Sequence, residues 1–209
     1  MKTHYKSVKK LEKLLPGKTY HIFNKAIGSD KLFVSDNDYY YFLQKIERYL
    51  LPVAYVISYC LIPNHFHLLV EIKELRSFPK GIPEQSIESP EQYVSKVFSN
   101  FFNSYSKSFN KAHDRSGRLF LYPYKRILVD DDDYLAFLIV YIHRNPIHHG
   151  LVKSFSEWKY SSYTTILSNN ISKVSREIAL AQFDDSKDEF INYHDENICN
   201  IGAEKYFIE

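Results

Sequence analysis

The chain has 209 residues, 44% of them hydrophobic and 25% charged, and its formal net charge is +2. This length suits one domain with extensions, and the hydrophobic fraction is enough for a substantial core. No run of about 18 apolar residues is present, which excludes a membrane span by sequence. Cys60 and Cys199 fit no metal spacing and no signal peptide is recognised, so we expect reduced thiols in a cytoplasmic protein.

Charge is distributed unevenly along the chain. Residues 171–209 contain four basic and nine acidic side chains and so contribute −5, whereas residues 1–170 contribute +7. A basic body is compatible with binding a polyanion, and an ordinary solvated surface is the alternative. Six lysines among residues 1–18 predict a basic N-terminal arm, which could lie on phosphates or serve only solubility.

The first half of the chain predicts a strand, a helix and a hairpin. Residues 19–26 alternate as a strand does, and a helix is expected from an N-cap at Ser35 or Asp36 to Pro52. Residues 53–62 are rich in β-branched and aromatic side chains, which predicts a second strand. A Pro-Asn turn signal leads directly into a third strand, so these two strands are expected to form an antiparallel hairpin.

The second half predicts a long helix, a further strand and a third helix. Ser89 and Pro90 begin a capping-box pattern, and the apolar stripe that follows extends to Phe109. Residues 118–129 predict one or two strands. The next apolar stripe has helical spacing, and Pro146 is expected to end that helix.

The order strand, helix, strand, strand, helix, strand is the split βαβ pattern. The predicted fold class is therefore α+β: a ferredoxin-like, RRM-like antiparallel sheet with helices packed on one face, which leaves the other face open for a site. Gly150 is a predicted helix stop. The expected organisation is an arm over residues 1–18, a central domain over 19–150 and an extension with an acidic tail over 151–209. Within the extension, residues 174–196 predict two short helices, and Trp158 is expected to pack the segment onto the body.

Two histidines occupy the third predicted strand. His65 and His67 are two residues apart, so their side chains point to one face, while Phe66 points to the opposite layer. Two imidazoles side by side can supply half of a metal site. The pair alone is a weak motif, because histidines on strands are commonly ordinary core or surface residues.

The last predicted helix of the central domain carries a candidate partner for these histidines. Tyr141 and Asn145 are four residues apart and therefore lie one turn apart on one face. At roughly 100° per residue, Tyr141 lies about 110° from the centre of the buried stripe, where its hydroxyl could reach a cleft. Asn145 brings an amide oxygen, a neutral ligand. A tyrosine at a core edge and an Asn-Pro helix terminus are also ordinary features.

Together these residues resemble a known family. His65-Phe66-His67 is similar to the His-hydrophobe-His motif of HUH endonucleases, and Tyr141-x-x-x-Asn145-Pro146 resembles the nucleophile helix of single-tyrosine transposases. The resemblance is greatest to the branch of REP-associated tyrosine transposases, and it covers about residues 19–167. Residues 148–150, which follow Pro146, continue the resemblance to the nucleophile helix, and residues 117–120 and 158–163 also fit that branch.

The resemblance implies a function as well as a fold. Residues 19–150 would be an HUH catalytic domain that cleaves and rejoins single-stranded DNA, often beside a hairpin, through a 5′-phosphotyrosine on Tyr141. His65, His67 and Asn145 would hold a divalent cation, Mg²⁺ or Mn²⁺; many relatives of the broader group have the longer Gln at the Asn145 position. Whether the protein acts as a monomer or a homodimer is left open. Seven basic residues are candidate contacts to the DNA backbone: Lys107, Lys111, Arg115, Arg118, Lys125, Arg126 and Arg144.

Three other functions stay open at this point. An inactive or domesticated relative would bind a DNA hairpin without cutting it. A replication or conjugation initiator of the same superfamily would usually carry a helicase or a further domain. A ferredoxin-like RNA-binding domain, in which the histidine pair is incidental, would be indifferent to the loss of metal or of Tyr141.

Overall fold

The computed structural model describes residues 12–79, 89–121 and 123–197. Its strands are β1 (Thr19–Lys25), β2 (Ala54–Ile62), β3 (His65–Ile72) and β4 (Lys125–Val129). They form one antiparallel sheet in the order β2-β3-β1-β4. This arrangement is the split βαβ sheet, so the predicted α+β class and antiparallel sheet are confirmed.

Three long helices accompany the sheet: α1 (Asp36–Lys45), α2 (Pro90–Ala112) and α3 (Asp132–His148). A π-helical turn, Ile46–Leu50, continues α1. The described C-terminal part contains three further helices: α4 (Tyr163–Leu167), α5 (Arg176–Leu180) and α6 (Lys187–Asn197). None of the helices in the described part of the chain is long and apolar enough to cross a membrane.

Acidic side chains fix the starts of two helices. Asp38 Oδ2 accepts hydrogen bonds from the backbone N–H groups of Val34 at 2.9 Å and Ser35 at 2.8 Å, beside the predicted N-cap Ser35 of α1. Asp131 Oδ1 accepts from the Tyr134 N–H at 2.7 Å and caps α3. Capping of this kind satisfies backbone donors that a helix start leaves without an internal partner.

Helix α3 passes through Pro146, so the prediction that this proline ends the helix is wrong. Proline lacks only its own amide donor, and later amides still find acceptors. The His149 N–H donates to the Asn145 carbonyl at 3.0 Å, and the Gly150 N–H donates to the Ile147 carbonyl at 2.9 Å. Gly150, with φ of +66°, then ends the helix as predicted.

Helices cover both faces of the sheet. On one face, Ile22 and Phe66 from the strands pack with Phe42 of α1 and Phe98 of α2, in the larger of two apolar cores. On the opposite face, strand residues pack with α3 and the C-terminal helices in a second core that contains Cys60, Leu69, Ile139, Ile142 and Phe190.

The expectation that helices pack on one face and leave the other open is therefore correct for α1 and α2 and wrong for α3. Its physical reason lies in β2, which is apolar on both sides: Val56 and Leu61 belong to the first core, and Cys60 and Ile62 belong to the second. A strand that is apolar on both sides needs cover on both sides.

The C-terminal part covers β2 as well as α3. Trp158 Nε1–H donates to the Leu61 carbonyl at 2.9 Å, which confirms its predicted packing role. The Ser162 N–H donates to the Tyr59 carbonyl at 2.9 Å, and the Ser175 N–H donates to the Val56 carbonyl at 2.7 Å. These bonds satisfy backbone groups along the outer edge of the sheet, which would otherwise offer a template for another strand.

Parts of the predicted arm and acidic tail lie outside the described residues, namely 1–11 and 198–209. Within the described remainder of the arm, Leu14 is fully buried, and the Gly17 N–H donates to the Ile72 carbonyl at 2.8 Å. The end of the arm therefore packs on the sheet.

Candidate active site

Strand β3 presents His65 and His67 to the face that α3 covers. Both are buried, at 8% and 2% exposure. In the register of the sheet, His65 lies opposite Lys25 of β1 and His67 lies opposite Phe23. Directly paired residues share a face, so β1 contributes its own side chains to the same surface.

Helix α3 brings an amide to the histidine pair. Asn145 Nδ2 donates to the Tyr141 carbonyl at 2.9 Å, a bond within the helix that orients the side chain. Its Oδ1 then lies 3.2 Å from His65 Nε2. The i, i+4 spacing noted in the sequence therefore has a structural use: the backbone of Tyr141 aims the oxygen of Asn145.

Both ring nitrogens of His65 face amide oxygens. Nδ1 lies 2.9 Å from Asn64 Oδ1, and Nε2 faces Asn145 Oδ1. A neutral imidazole carries a single N–H and cannot donate to both. When Nδ1–H donates to Asn64, the Nε2 lone pair and the Asn145 oxygen converge, which is a favourable arrangement around a shared cation.

The second imidazole has a buried nitrogen without a partner. His67 Nε2 makes no hydrogen bond with any residue of the described segments, whereas Nδ1 lies 2.9 Å from Nε2 of His21. Burial lowers the pKa of His67 well below its ordinary value; the imidazoles of His21, His65 and His149 add to this, and Asn145 acts in the opposite direction. His67 is therefore neutral near pH 7, in the form that binds metals.

The separation of the His65 and Asn145 donor atoms fits a divalent cation. Ligands at about 2.1–2.2 Å on perpendicular bonds are about 3 Å apart, close to the 3.2 Å between His65 Nε2 and Asn145 Oδ1. Across the described residues, no group of three or more His, Cys, Asp or Glu side chains is placed to hold a metal. Two imidazoles and one amide oxygen are thus the candidate donors, and such a set leaves coordination positions for a substrate.

Tyr141 lies against these donors. Its ring is 5.5 Å from the ring of His67 and 6.2 Å from that of His21, edge to face in both cases, and the residue is 8% exposed. The structure therefore brings together all four residues predicted for the catalytic and metal roles.

The seven basic residues predicted to contact DNA are spread over the molecule. Lys125 lines the cleft that contains His65 and His67. Arg126 lies on the other side of β4, where its Nη1 donates to Ser95 Oγ at 3.0 Å. Arg144 is half-buried on α3, and its Nε has no hydrogen-bond partner in the described part of the chain.

The remaining four lie on or after α2, across the sheet from the histidines. Lys107, Lys111 and Arg118 are exposed. Arg115 forms an ion pair with Asp30 and also donates to Asn110 Oδ1 at 3.0 Å. Its charge is therefore already compensated within the protein. Contact of these residues with DNA stays a prediction.

Sequence reasoning missed the contribution of β1. His21, Phe23 and Lys25 alternate on this strand and face the site, and Phe23 stacks on His67 with ring centroids 5.7 Å apart. His149 lies at the end of α3, 4.9 Å from the His65 ring. The available signal was the alternation of β1 combined with the strand order of the split βαβ fold, which places β1 beside β3.

No protein-family model matches the chain. The chain is 28% identical, over 109 residues, to a protein of Haemophilus influenzae that is named provisionally as a REP-associated tyrosine transposase. That alignment covers 51% of this chain and 57% of the relative, so the match spans little more than half of either protein.

A solved structure shares the fold. It is described as a REP-associated tyrosine transposase bound to a REP hairpin, and it superposes with a TM-score of 0.56 at 15% sequence identity. The match covers 77% of this chain and 86% of that one. The predicted resemblance to REP-associated tyrosine transposases is thus confirmed in sequence and in fold.

Proposed function

We propose that this protein is a metal-dependent, single-tyrosine HUH transposase that cleaves and rejoins single-stranded DNA through a 5′-phosphotyrosine intermediate. One observation carries the proposal: α3 places Tyr141 and Asn145 against His65 and His67 of β3, with His65 Nε2 and Asn145 Oδ1 3.2 Å apart. The sequence relative supports a transposase, and the structural neighbour supports a DNA hairpin as the partner.

The chemistry needs a nucleophile, a means of offsetting charge and a leaving group. The Tyr141 hydroxyl oxygen would attack the phosphorus, forming a P–O bond to tyrosine while the bond from phosphorus to the 3′ oxygen breaks. The phenol loses one proton to a base and the leaving oxygen takes one up, so the step is balanced. A phenol ionises only near pH 10 in water, so the nucleophile needs activation.

A divalent cation, Mg²⁺ or Mn²⁺, held by His65 Nε2, His67 Nε2 and Asn145 Oδ1, would supply Lewis acidity toward a non-bridging phosphate oxygen. The donors are neutral, so they do not repel an anionic substrate. Because the phosphotyrosine conserves the energy of the broken bond, attack by a 3′-hydroxyl in the reverse direction would rejoin a strand without a nucleotide cofactor.

The surroundings of the site suit a nucleic acid strand. Lys25 and Lys125 line the same cleft as the two histidines, and both are exposed. Lys125 Nζ lies 5.4 Å from the centre of the Phe23 ring. Two exposed cations along one cleft are groups that can hold a phosphate backbone.

The decisive test is covalent capture. The protein is incubated with 5′- and 3′-labelled single-stranded DNA that contains hairpins, with Mn²⁺, and the products are separated on a denaturing gel. We expect a protease-sensitive adduct in wild type that is lost with chelator and in Tyr141→Phe. Tyr134→Phe, which removes a hydroxyl two turns earlier on α3, is the matched control and should form the adduct.

The alternative is a catalytically silent protein that binds DNA hairpins. It shares the basic cleft but makes no use of the Tyr141 hydroxyl. Equal binding of a hairpin by wild type and Tyr141→Phe, with no adduct from either across the substrate pool, would establish that alternative and refute the proposed chemistry.

A further inference from the structure

A third histidine lies directly behind the metal-ligand candidates. His21 of β1 is fully buried, and its Nε2 is 2.9 Å from Nδ1 of His67. Its ring stacks on Phe23, with centroids 4.8 Å apart, and lies at 24° to the ring of His67, with centroids 5.1 Å apart. These contacts fix the plane of the imidazole and the direction of its Nε2.

Only one hydrogen can lie between the two rings. If His21 donates, His67 must carry its own hydrogen on Nε2, which cannot then bind a cation. If His67 Nδ1–H donates to His21, the lone pair of His67 Nε2 is directed into the site. Nε2 is the nitrogen that has no hydrogen-bond partner in the described part of the chain, so the second arrangement is the one that uses it.

We propose that His21 is a positioning residue: it accepts the hydrogen bond from His67 Nδ1–H and thereby holds His67 in the tautomer and orientation that bind a divalent cation through Nε2. This inference rests on the proposed function, because it assigns a role toward the cation of that site. Metal-ligating histidines commonly donate their other N–H to a carboxylate, a carbonyl or water. Here a buried imidazole takes that place.

The choice of an imidazole has a physical consequence. A carboxylate in this position would add a negative charge behind a site that must accept a phosphodiester, whereas neutral His21 orients the ligand without that charge. Stability does not explain the histidine, because its remaining nitrogen, Nδ1, is buried and makes no hydrogen bond within the described residues.

Metal affinity gives the first test. Mn²⁺ binding by the metal-free protein is measured calorimetrically for wild type, His21→Phe and His21→Gln. Phenylalanine keeps the aromatic stack and removes the acceptor, so we expect a loss of about 10- to 100-fold in affinity, the usual effect of removing such a partner. Glutamine offers an amide oxygen as acceptor and should retain most of the affinity.

The second test determines the tautomer of His67. It uses only the wild-type protein, so it does not depend on whether either variant folds. Nitrogen-15 chemical shifts of wild-type His67, without metal and with Mg²⁺, should show hydrogen on Nδ1 and a lone pair on Nε2. The reverse assignment would overturn the inference.

The two proposals fail in different ways. Wild-type protein that binds no Mn²⁺ would overturn the proposed metal site and this inference with it. Wild-type protein that binds Mn²⁺ and forms the adduct, together with a folded His21→Phe variant of unchanged Mn²⁺ affinity, would overturn the role of His21 alone.

Discussion

At the scale of single residues, two asparagine side chains contact the two ring nitrogens of His65. Asn64 Oδ1 lies against Nδ1 of the imidazole, and Asn145 Oδ1 lies against Nε2. Asn145 is also held from behind by the Tyr141 carbonyl. The amide is therefore oriented by the backbone of its own helix, which supports the proposal that Asn145 is a cation ligand although many relatives of the broader group have the longer Gln there.

The first prediction concerns Asn145 as a ligand. Asn145→Ala removes one of three donors, and we expect the Mn²⁺ affinity to fall by at least about tenfold, since even the loss of an outer partner costs that much. Calorimetric titration of the metal-free protein measures it. Asn103→Ala, which removes an exposed amide of α2, should bind Mn²⁺ as wild type does; an equal loss in both variants would contradict the assignment.

A second prediction concerns the two lysines of the cleft. Lys25→Gln and Lys125→Gln should each weaken binding to single-stranded DNA and lower the slope of log affinity against log salt by about 0.7, the contribution of one phosphate contact. Fluorescence anisotropy at several salt concentrations gives that slope. Lys173, which pairs with Glu47 at 2.8 Å, supplies the control, because its removal should leave the slope unchanged.

How far the sequence predicts the site depends on the range of the contacts involved. Strand alternation predicts that His65 and His67 share a face, and helical spacing predicts that Tyr141 and Asn145 do. Their meeting, and the part played by β1, depend on which strands and helices become neighbours. The motif resemblance predicted that the histidine pair and Tyr141 and Asn145 belong to one site. It did not include His21 and Lys25 of β1, because no motif contains them.

At the scale of elements, α3 is held to the C-terminal helices by a chain of buried hydrogen bonds. His194 Nδ1–H donates to the Phe190 carbonyl at 2.7 Å, so its Nε2 accepts from His143 Nδ1–H at 2.9 Å. His143 Nε2 in turn accepts from the Ser162 hydroxyl at 2.7 Å. Every nitrogen is satisfied while both rings are neutral, and His143 lies two residues after Tyr141 on the same helix.

These buried histidine hydrogen bonds predict that the stability of the fold depends on pH. Burial lowers the pKa of His194 to about 4, whereas in the unfolded chain it is about 6.5. Between these values the unfolded state binds more protons, so the free energy of unfolding falls as pH decreases from about 6.5 to about 4, by roughly 1 kcal/mol per pH unit from this residue. Below the lower value this loss reaches its limit.

Urea denaturation at pH 7, 6 and 5 measures the effect. Protonation of His143 and the other buried histidines also lowers the free energy of unfolding as the pH decreases. The informative quantity is therefore the difference in pH slope between wild type and His194→Asn. The variant should show a pH slope smaller by about one proton. Equal slopes in the two proteins would show that His194 stays accessible to protons.

Elements also show where sequence patterns mislead. Pro146 is a helix-breaking residue by sequence, but the helix continues because the later amides of His149 and Gly150 find carbonyl acceptors. The open sheet face was inferred from the first six elements alone. That face is covered by α3 and the C-terminal helices, whose contact surface is apolar, as Ile139 and Ile142 show. A periodic apolar stripe predicts that a helix has a buried face, but it does not predict which surface that face will contact.

At the scale of the whole molecule, two apolar cores share one sheet, and the C-terminal part completes the second. Phe155, Tyr163, Val174, Phe183 and Phe190 all belong to the same buried cluster as α3. Because one face of this cluster is α3, the helix that carries Tyr141, loss of the C-terminal helices would expose the back of α3 to water. We therefore expect this part to unfold together with the site.

The last prediction tests whether the C-terminal helices and α3 unfold together. Phe190 is fully buried, and Phe190→Ala should lower the free energy of unfolding by about 3–5 kcal/mol, the usual cost of such a truncation in a core. Ile171, of the same segment, is fully exposed, so Ile171→Ala should change it by less than about 0.5 kcal/mol. Urea unfolding followed by tryptophan fluorescence and by circular dichroism should give one coincident transition in both variants. Two separated transitions in Phe190→Ala, the first without any change at Trp158, would mean that the C-terminal helices fold as an independent appendage and that α3 does not depend on them.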